Sequence, residues 1–250
     1  MNELKTLKGK LPMKLDLFLL AVVPILIGMF WIRSKDKYCR EPLIHLIKFF
    51  MIGAFLSVII ILLENLLMKF NVFEGYSELL YVSFIVASLV EEGVKALILI
   101  PSLIKEKHFT EKLDGIIYSV FLSLGFATIE NIVYIFSESR NLALQVGINR
   151  AVISIPAHVM FAITMGYYIS KYKFEGNEIK KREYLFMAVL IPILLHGVFD
   201  FILMIEYRWA IILFIVYVII LWKINLDKLE KYMNNSKKVF FGNLKKKKRK

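Results

Sequence analysis

Long runs of apolar residues fill most of the sequence, and short polar segments separate them. A helix needs about 20 apolar residues to cross ~30 Å of hydrocarbon. We identify seven stretches near this length: 15–33, 43–68, 79–104, 113–137, 148–170, 184–205 and 209–224. The pattern predicts an all-α, polytopic transmembrane helix bundle of about seven spans. Three regions follow: an N-terminal extension (1–14), the seven-span domain (15–224) and a basic tail (225–250).

The composition excludes a soluble globular class. Apolar residues make up 58% of the chain and the mean hydropathy is +0.62, whereas soluble domains are roughly 45–50% apolar. The lone cysteine, Cys39, excludes an intrachain disulfide and a zinc site made of several cysteines. We therefore expect a multi-pass protein of the cell membrane.

The distribution of basic residues predicts the orientation. Lys and Arg total 33 against 21 Asp and Glu, and eight of the basic residues lie in the last fourteen positions. The loops after spans one, three and five are also basic, which favours a cytoplasmic C-terminus. Seven spans then place the N-terminus outside, although the lysines of the extension, Lys5, Lys8, Lys10 and Lys14, favour the cytoplasm.

We expect the tail to bind anionic lipid head groups. A nucleic-acid partner is not expected, because such proteins spread basic charge over a folded face interleaved with aromatic residues.

Ionisable residues inside four successive spans are the main functional signal. Each charge at the bilayer centre costs at least ~2.5–3.5 kcal/mol and therefore needs a reason. The polar residues are Glu91, Glu92 and Lys95 in span three, Glu130 and Asn131 in span four, His158 in span five, and His196 and Asp200 in span six. Helical spacing pairs Glu91 with Lys95 and His196 with Asp200. At 1.5 Å per residue, the set is compatible with one polar cluster in the outer half of the membrane.

The remaining ionisable residues have ordinary interpretations. His45 and His108 fall near the cytoplasmic ends of spans or in a loop, where we expect ordinary interfacial roles, and Glu64 lies near the outer end of span two. Glycines beside polar residues indicate close helix packing. They are Gly93, Gly125 and Gly197. Prolines interrupt spans five and six, at Pro156 and Pro192.

Two histidines and a glutamate on separate helices are a familiar three-ligand set for catalytic zinc, and a further carboxylate can act as general base. The cluster therefore predicts a hydrolase. A proton- or ion-coupled transporter, or a sensor without catalysis, can use the same groups, since membrane carboxylates and histidines also form relays. We find no inverted repeats or matching broken helices of the kind that many transporters show. A buried ion pair that only holds helices together is the structural alternative.

The motifs resemble those of the PrsW family of intramembrane proteases over about residues 15–205. In order, they are Glu91-Glu92-x-x-Lys95, Phe126-x-x-x-Glu130-Asn131, His158 with Phe161 and Gly166-Tyr-Tyr, and His196-x-x-x-Asp200, after a loop from Asp36 to Pro42. This family is similar to the wider superfamily of CAAX prenyl proteases and bacteriocin-processing enzymes. The resemblance implies a site-1 protease that cuts a single-span anti-sigma factor and so starts the release of an extracytoplasmic-function sigma factor.

The resemblance also implies roles for the residues. Glu91 and Glu92 would activate water, Lys95 would balance charge, and Asn131 and Asp200 would orient the site. The expected metal ligands are Glu130, His158 and His196, with one divalent ion, zinc, as the cofactor. No HExxH motif requires a metal. In the metal-free alternative the two histidines stabilise the oxyanion and orient the water.

Overall fold

The structure, a computed structural model, describes the backbone of residues 2–205 and 207–247 and the side-chain surroundings of residues 15–139, 142–205 and 207–242. The lysines of the extension (1–14) and the end of the basic tail therefore lie outside the part whose side chains are described. Within the described backbone all regular structure is helical, which confirms the predicted all-α bundle.

Nine α-helices form the described chain. They are α1 (Asn2–Lys35), α2 (Leu43–Met68), α3 (Tyr76–Leu80), α4 (Val90–Ile104), α5 (Lys112–Ser137), α6 (Arg140–Asn149), α7 (Ile155–Lys173), α8 (Glu178–Met204) and α9 (Ala210–Lys247). Two π-helical segments join neighbouring helices without a break: Tyr81–Leu89 links α3 to α4, and Arg150–Ser154 links α6 to α7.

Six helical segments are long and apolar enough to cross a membrane. They are Leu15–Lys35, Leu43–Met68, Lys112–Ser137, Leu142–Lys173, Glu178–Met204 and Ala210–Gly242. The remaining predicted span, 79–104, is also helical, but a π-helical segment divides it and Glu91, Glu92 and Lys95 lie near its middle. The predicted stretches thus all fall in helices, and the one that departs from a simple apolar span carries the paired glutamates.

Helix α5 lies at the centre of the bundle, packed between α2 and α7. Glycines allow the close approach to α2: a Cβ on Gly53 would overlap the carbonyl oxygen of Leu122, and a Cβ on Gly125 would overlap that of Phe50. The predicted packing role is confirmed for Gly125, and for Gly197, where a Cβ would meet the Phe84 ring. It is wrong for Gly93, which has no neighbour within 4 Å of a Cβ position.

Helix α9 extends well beyond the membrane, because its 38 residues span about 57 Å. The predicted start of the tail, residue 225, falls inside this helix. The Thr164 hydroxyl of α7 donates to Asn225 Oδ1 at 2.6 Å, and Lys228 Nζ donates to Thr164 Oγ1 at 2.8 Å. Tyr232 is buried against Tyr167. The first turns of the tail are therefore packed on the bundle.

Candidate active site

A cavity of about 360 Å³ lies among α2, α5, α7, α8 and the π-helical segment Tyr81–Leu89. Five residues that sequence analysis selected line it: Glu91, Glu130, His158, His196 and Asp200. The structure thus brings together polar groups from four successive predicted spans. Other polar groups that line the cavity are Glu64, Asn65, Tyr134, Arg150 and Ser154.

The paired glutamates lie in the first turn of α4 and share one lysine. Lys95 Nζ donates to Glu91 Oε2 at 2.9 Å and to Glu92 Oε1 at 2.8 Å. The helical spacing thus produced the predicted Glu91–Lys95 pair. All three side chains are buried, and Lys95 Nζ also lies 3.8 Å from the centre of the Phe126 ring. One ammonium group therefore bonds two carboxylates.

The two histidines have the same arrangement of partners. His158 Nε2 lies 2.9 Å from Glu130 Oε2, and His196 Nε2 lies 3.1 Å from Asp200 Oδ2. A carboxylate on one ring nitrogen fixes the orientation of an imidazole and raises the basicity of the other nitrogen. The ring of Phe161 stacks on His196 with centroids 4.7 Å apart, which further restrains that imidazole.

The second nitrogen of each histidine faces the glutamate pair. His158 Nδ1 is 4.0 Å from Glu91 Oε2, and His196 Nδ1 is 3.3 Å from Glu92 Oε1. Both Nδ1 atoms are buried, and neither has a hydrogen bond within the described residues. Because buried polar atoms are rarely left without a partner, these two nitrogens indicate a place for a water molecule, a substrate atom or a metal ion.

Arg150, near the start of the predicted span 148–170, is also part of the cluster. Its Nη2 lies 2.6 Å from Glu130 Oε2, and its Nε donates to Asn131 Oδ1 at 2.6 Å. Asn131 therefore holds Arg150, and among the described residues it makes no hydrogen bond to a histidine. A signal was present in the sequence, because Arg150 stands at the start of an apolar stretch and six residues before Pro156. Spacing alone did not show its partners, since they lie on another helix.

The cluster fits a divalent metal, and the structure offers a ligand set beside the expected one. Oxygens of Glu91 and Glu92 and a nitrogen of His196 lie within 4.8 Å of one another, and His158 Nδ1 is adjacent. Glu130, expected as a ligand with the two histidines, instead has Oε2 occupied by His158 Nε2 and Arg150. The geometry thus places Glu130 behind His158, as Asp200 lies behind His196. A metal ion bound here would use the Glu91 and Glu92 carboxylates, which Lys95 also bonds.

Comparison with known proteins shows the family of the chain. The family model described as "PrsW family intramembrane metalloprotease" matches residues 41–224. Protease PrsW of Clostridioides difficile (strain 630) is 93% identical over 238 residues, which cover 95% of this chain and 100% of that protein. Protease PrsW of Bacillus subtilis (strain 168) is 34% identical over 79% of this chain and 86% of that protein. No solved structure matches the chain. The chain belongs to the PrsW family of intramembrane metalloproteases, and it is a peptidase.

Proposed function

We propose that this peptidase performs site-1 cleavage of a single-span anti-sigma factor, near the extracytoplasmic side, and so starts the release of an extracytoplasmic-function sigma factor. The observation that carries the catalytic part is that the Nδ1 atoms of His158 and His196 face Glu91 and Glu92. The substrate class rests on the family resemblance and on a polar cavity that lies among apolar helices.

Glu91 is the better placed of the two glutamates to act as general base. It lines the cavity, whereas Glu92 does not and is only 1% exposed. In the proposed reaction a substrate helix enters from the side and unwinds, and its scissile carbonyl reaches the cavity. Glu91 accepts a proton from a water molecule that attacks this carbonyl, and later returns the proton to the leaving amine. Glu92, held by Lys95 and adjacent to His196, positions the lysine and the imidazole.

His158 and His196 hold the reacting oxygens in this proposal. Their Nδ1 atoms face the paired glutamates, while Glu130 and Asp200 on Nε2 keep each imidazole in one orientation. Two imidazoles and a carboxylate are a ligand set suited to zinc, so we propose His158, His196 and one of the paired glutamates as its ligands. When bound, the ion supplies Lewis-acid polarisation and lowers the pKa of water.

A metal-free reaction is the second candidate, and the position of Lys95 favours it. An ammonium group bonded to both glutamates already supplies the positive charge that would otherwise attract a cation. In that case the imidazoles act as donors to the oxyanion and as positioning groups for water. Measurement of bound metal in purified protein, together with cleavage before and after treatment with a chelator, separates the two. Full activity of metal-free protein would exclude the zinc mechanism without affecting the assignment of Glu91.

The catalytic test uses full-length protein in liposomes with a candidate single-span anti-sigma factor. We expect Glu91→Gln, Glu92→Gln, His158→Ala and His196→Ala to abolish cleavage while each variant still accumulates in the membrane. Glu74→Gln, at an exposed outer-loop position, is the matched control and should cleave normally. Wild-type rates in all four site variants would contradict the catalytic proposal. If other single-span proteins are cut and the anti-sigma factor is not, only the substrate assignment fails.

We further propose that the C-terminus is cytoplasmic, that the N-terminus is extracytoplasmic, and that the basic tail binds anionic lipids. The basic loops and the final lysine-rich segment support this orientation. The lipid partner can be tested by binding of a peptide from the basic end of the tail (residues 237–250) to vesicles. Phosphatidylglycerol vesicles should retain the peptide and phosphatidylcholine vesicles should not, with a difference that decreases at high salt. Equal retention by both vesicles would exclude an electrostatic role.

A further inference from the structure

A second cluster of possible metal ligands lies at the opposite end of α4 from the paired glutamates. It consists of His45, in the first turn of α2, with Glu106 and His108, in the loop that follows α4. The path from Glu92 to Glu106 is about 20 Å along the helix axis, so the two clusters cannot share an ion. Sequence analysis assigned both histidines ordinary interfacial roles, and the structure instead brings them together.

The distances within this cluster suit a small tetrahedral ion. His45 Nδ1 lies 3.4 Å from Glu106 Oε1, and the rings of His45 and His108 have centroids 4.2 Å apart. One ligand atom from each of the three residues lies within 4.8 Å of the others. Zinc bonds of ~2.0–2.1 Å in a tetrahedron separate neighbouring ligands by ~3.3–3.4 Å, so the His45–Glu106 pair already has the required spacing.

The hydrogen bonds around the cluster leave His45 Nδ1 and Glu106 Oε1 free to bind an ion. His45 Nδ1 is buried and makes no hydrogen bond within the described residues. Glu106 is 8% exposed, and its Oε2 bonds Lys48 at 3.1 Å, which fixes the carboxylate with Oε1 toward the histidines. Oε1 itself receives only a long bond of 3.4 Å from the His108 backbone N–H. A buried imidazole nitrogen and a fixed carboxylate oxygen thus face the same point.

Neighbouring charges determine how tightly an ion is held. The Lys48 side chain is 52% exposed, so its ammonium group can turn toward water when a cation arrives. While the ammonium group stays on Glu106 Oε2, it repels a divalent ion and weakens its binding. Glu106 Oε1 remains available as a ligand. His108 is exposed, which leaves the fourth position open to solvent and allows exchange with the surrounding medium. We propose that His45, Glu106 and His108 form a second, exchangeable zinc site that joins the start of α2 to the end of α4.

Zinc stoichiometry in purified, full-length protein tests this site, and the four histidines of the chain provide matched pairs. Wild type should bind one zinc equivalent more than the His45→Gln/His108→Gln double variant. The His158→Gln/His196→Gln variant should keep that equivalent whether or not the active site holds a metal. Equal zinc content in wild type and the His45→Gln/His108→Gln protein would overturn the proposal and leave the proposed proteolysis untouched.

Two further measurements do not depend on that double variant being well folded. Lys48→Gln should strengthen zinc binding several-fold, because it removes the competing ammonium group, whereas an ion pair with only a structural role predicts no change. In wild-type protein, zinc should protect the exposed His108 from diethyl pyrocarbonate, as detected by mass spectrometry, and magnesium should not. Modification of His108 at the same rate with and without zinc would contradict the site.

Discussion

At the scale of single residues, the site consists of two imidazoles that each bind a carboxylate on Nε2. Asp200 differs from Glu130 in one respect: its side chain is 19% exposed and bonds only His196 among the described residues, whereas Glu130 also bonds Arg150. Removing the charge of Asp200 therefore perturbs the orientation of one ring without leaving a buried cation unpaired. Its effect should report on imidazole positioning alone.

Asp200→Asn should lower kcat/KM for substrate cleavage by roughly 10–100-fold, the usual cost of losing a carboxylate behind a functional histidine. The decrease should appear mainly in kcat, because Asp200 orients a reacting group and does not need to bind the substrate. Cleavage assays in liposomes, with Asp227→Asn at an exposed position of α9 as control, measure it. Loss of activity as complete as in His196→Ala would assign Asp200 a direct catalytic role.

Arg150 joins two residues of α5 from the π-helical segment before α7. A lysine keeps the charge but cannot bond Glu130 and Asn131 at once in the fork geometry of a guanidinium group. We expect Arg150→Lys to reduce kcat/KM by about tenfold, comparable with other losses of a supporting contact. The exposed Arg208→Lys is the matched control. If Arg150→Lys cleaves at the wild-type rate, charge alone is sufficient at this position.

Contacts within one helix were predictable and contacts between helices were not. The spacing of four residues predicted the Glu91–Lys95 and His196–Asp200 pairs, and Lys95 bonds Glu92 as well. The partners of Glu130 lie 20 and 28 residues away on other elements, and no period in the sequence encodes such a pair. The His45–His108 contact was missed for the same reason.

At the scale of helices, the two π-helical segments decide which faces meet at the cavity. Tyr81–Leu89 ends just before the paired glutamates, and Arg150–Ser154 ends just before Pro156 and His158. A π-helical turn adds a residue and rotates the following face relative to an ideal α-helix. Apolar periodicity predicts the helices but not this rotation. Pro156 was the one sign of the second segment, because proline removes a backbone donor and clashes with the preceding turn.

The crossing of α2 and α5 makes Gly125 a sensitive position. A Cβ there would overlap the backbone of Phe50, which cannot move as a flexible side chain can. Gly125→Ala should therefore destabilise the protein by about 1–3 kcal/mol, as overpacking usually does. Thermal unfolding in detergent measures the loss, with Gly93→Ala as the control because no atom lies within 4 Å of its Cβ position. Equal unfolding temperatures in both variants would contradict the close crossing.

At the scale of the whole molecule, buried carboxylates collect at the end of the bundle opposite the active site. Asp36 and Glu41, from the loop between α1 and α2, lie near Glu111, before α5, and all three are buried. The Tyr118 hydroxyl donates to Glu41. Burial raises the pKa of Asp36 and of Glu111, and it raises the pKa of Glu41 to about 7. The folded protein therefore holds protons that the unfolded chain would release.

The sign of the resulting pH dependence follows from the raised pKa. Between the ordinary value of 4.5 and about 7, folded Glu41 keeps its proton and unfolded Glu41 does not, so stability falls as pH rises. Its contribution is complete below pH 4.5 and is lost as pH passes about 7, for a total of about 3 kcal/mol. Unfolding temperatures from pH 5 to 8 should decrease in wild type and less steeply in Glu41→Gln. The exposed Glu74→Gln should keep the wild-type slope, and an equal slope in all three would exclude Glu41 as the source.

The position of the termini is the largest-scale prediction, and the single cysteine can test it. Cys39 lies in the basic loop between α1 and α2, which the proposed topology places in the cytoplasm. Burial raises the pKa of its thiol, so the labelling is done at alkaline pH. A membrane-impermeant maleimide should label Cys39 only after detergent opens the cells. In a Cys39→Ser background, Ser77→Cys at an exposed position of the short helix α3 should react in intact cells. Reaction of Cys39 in intact cells would mean that the bundle has the opposite orientation. The cavity and the expected cleavage point would then lie in the cytoplasmic half of the membrane.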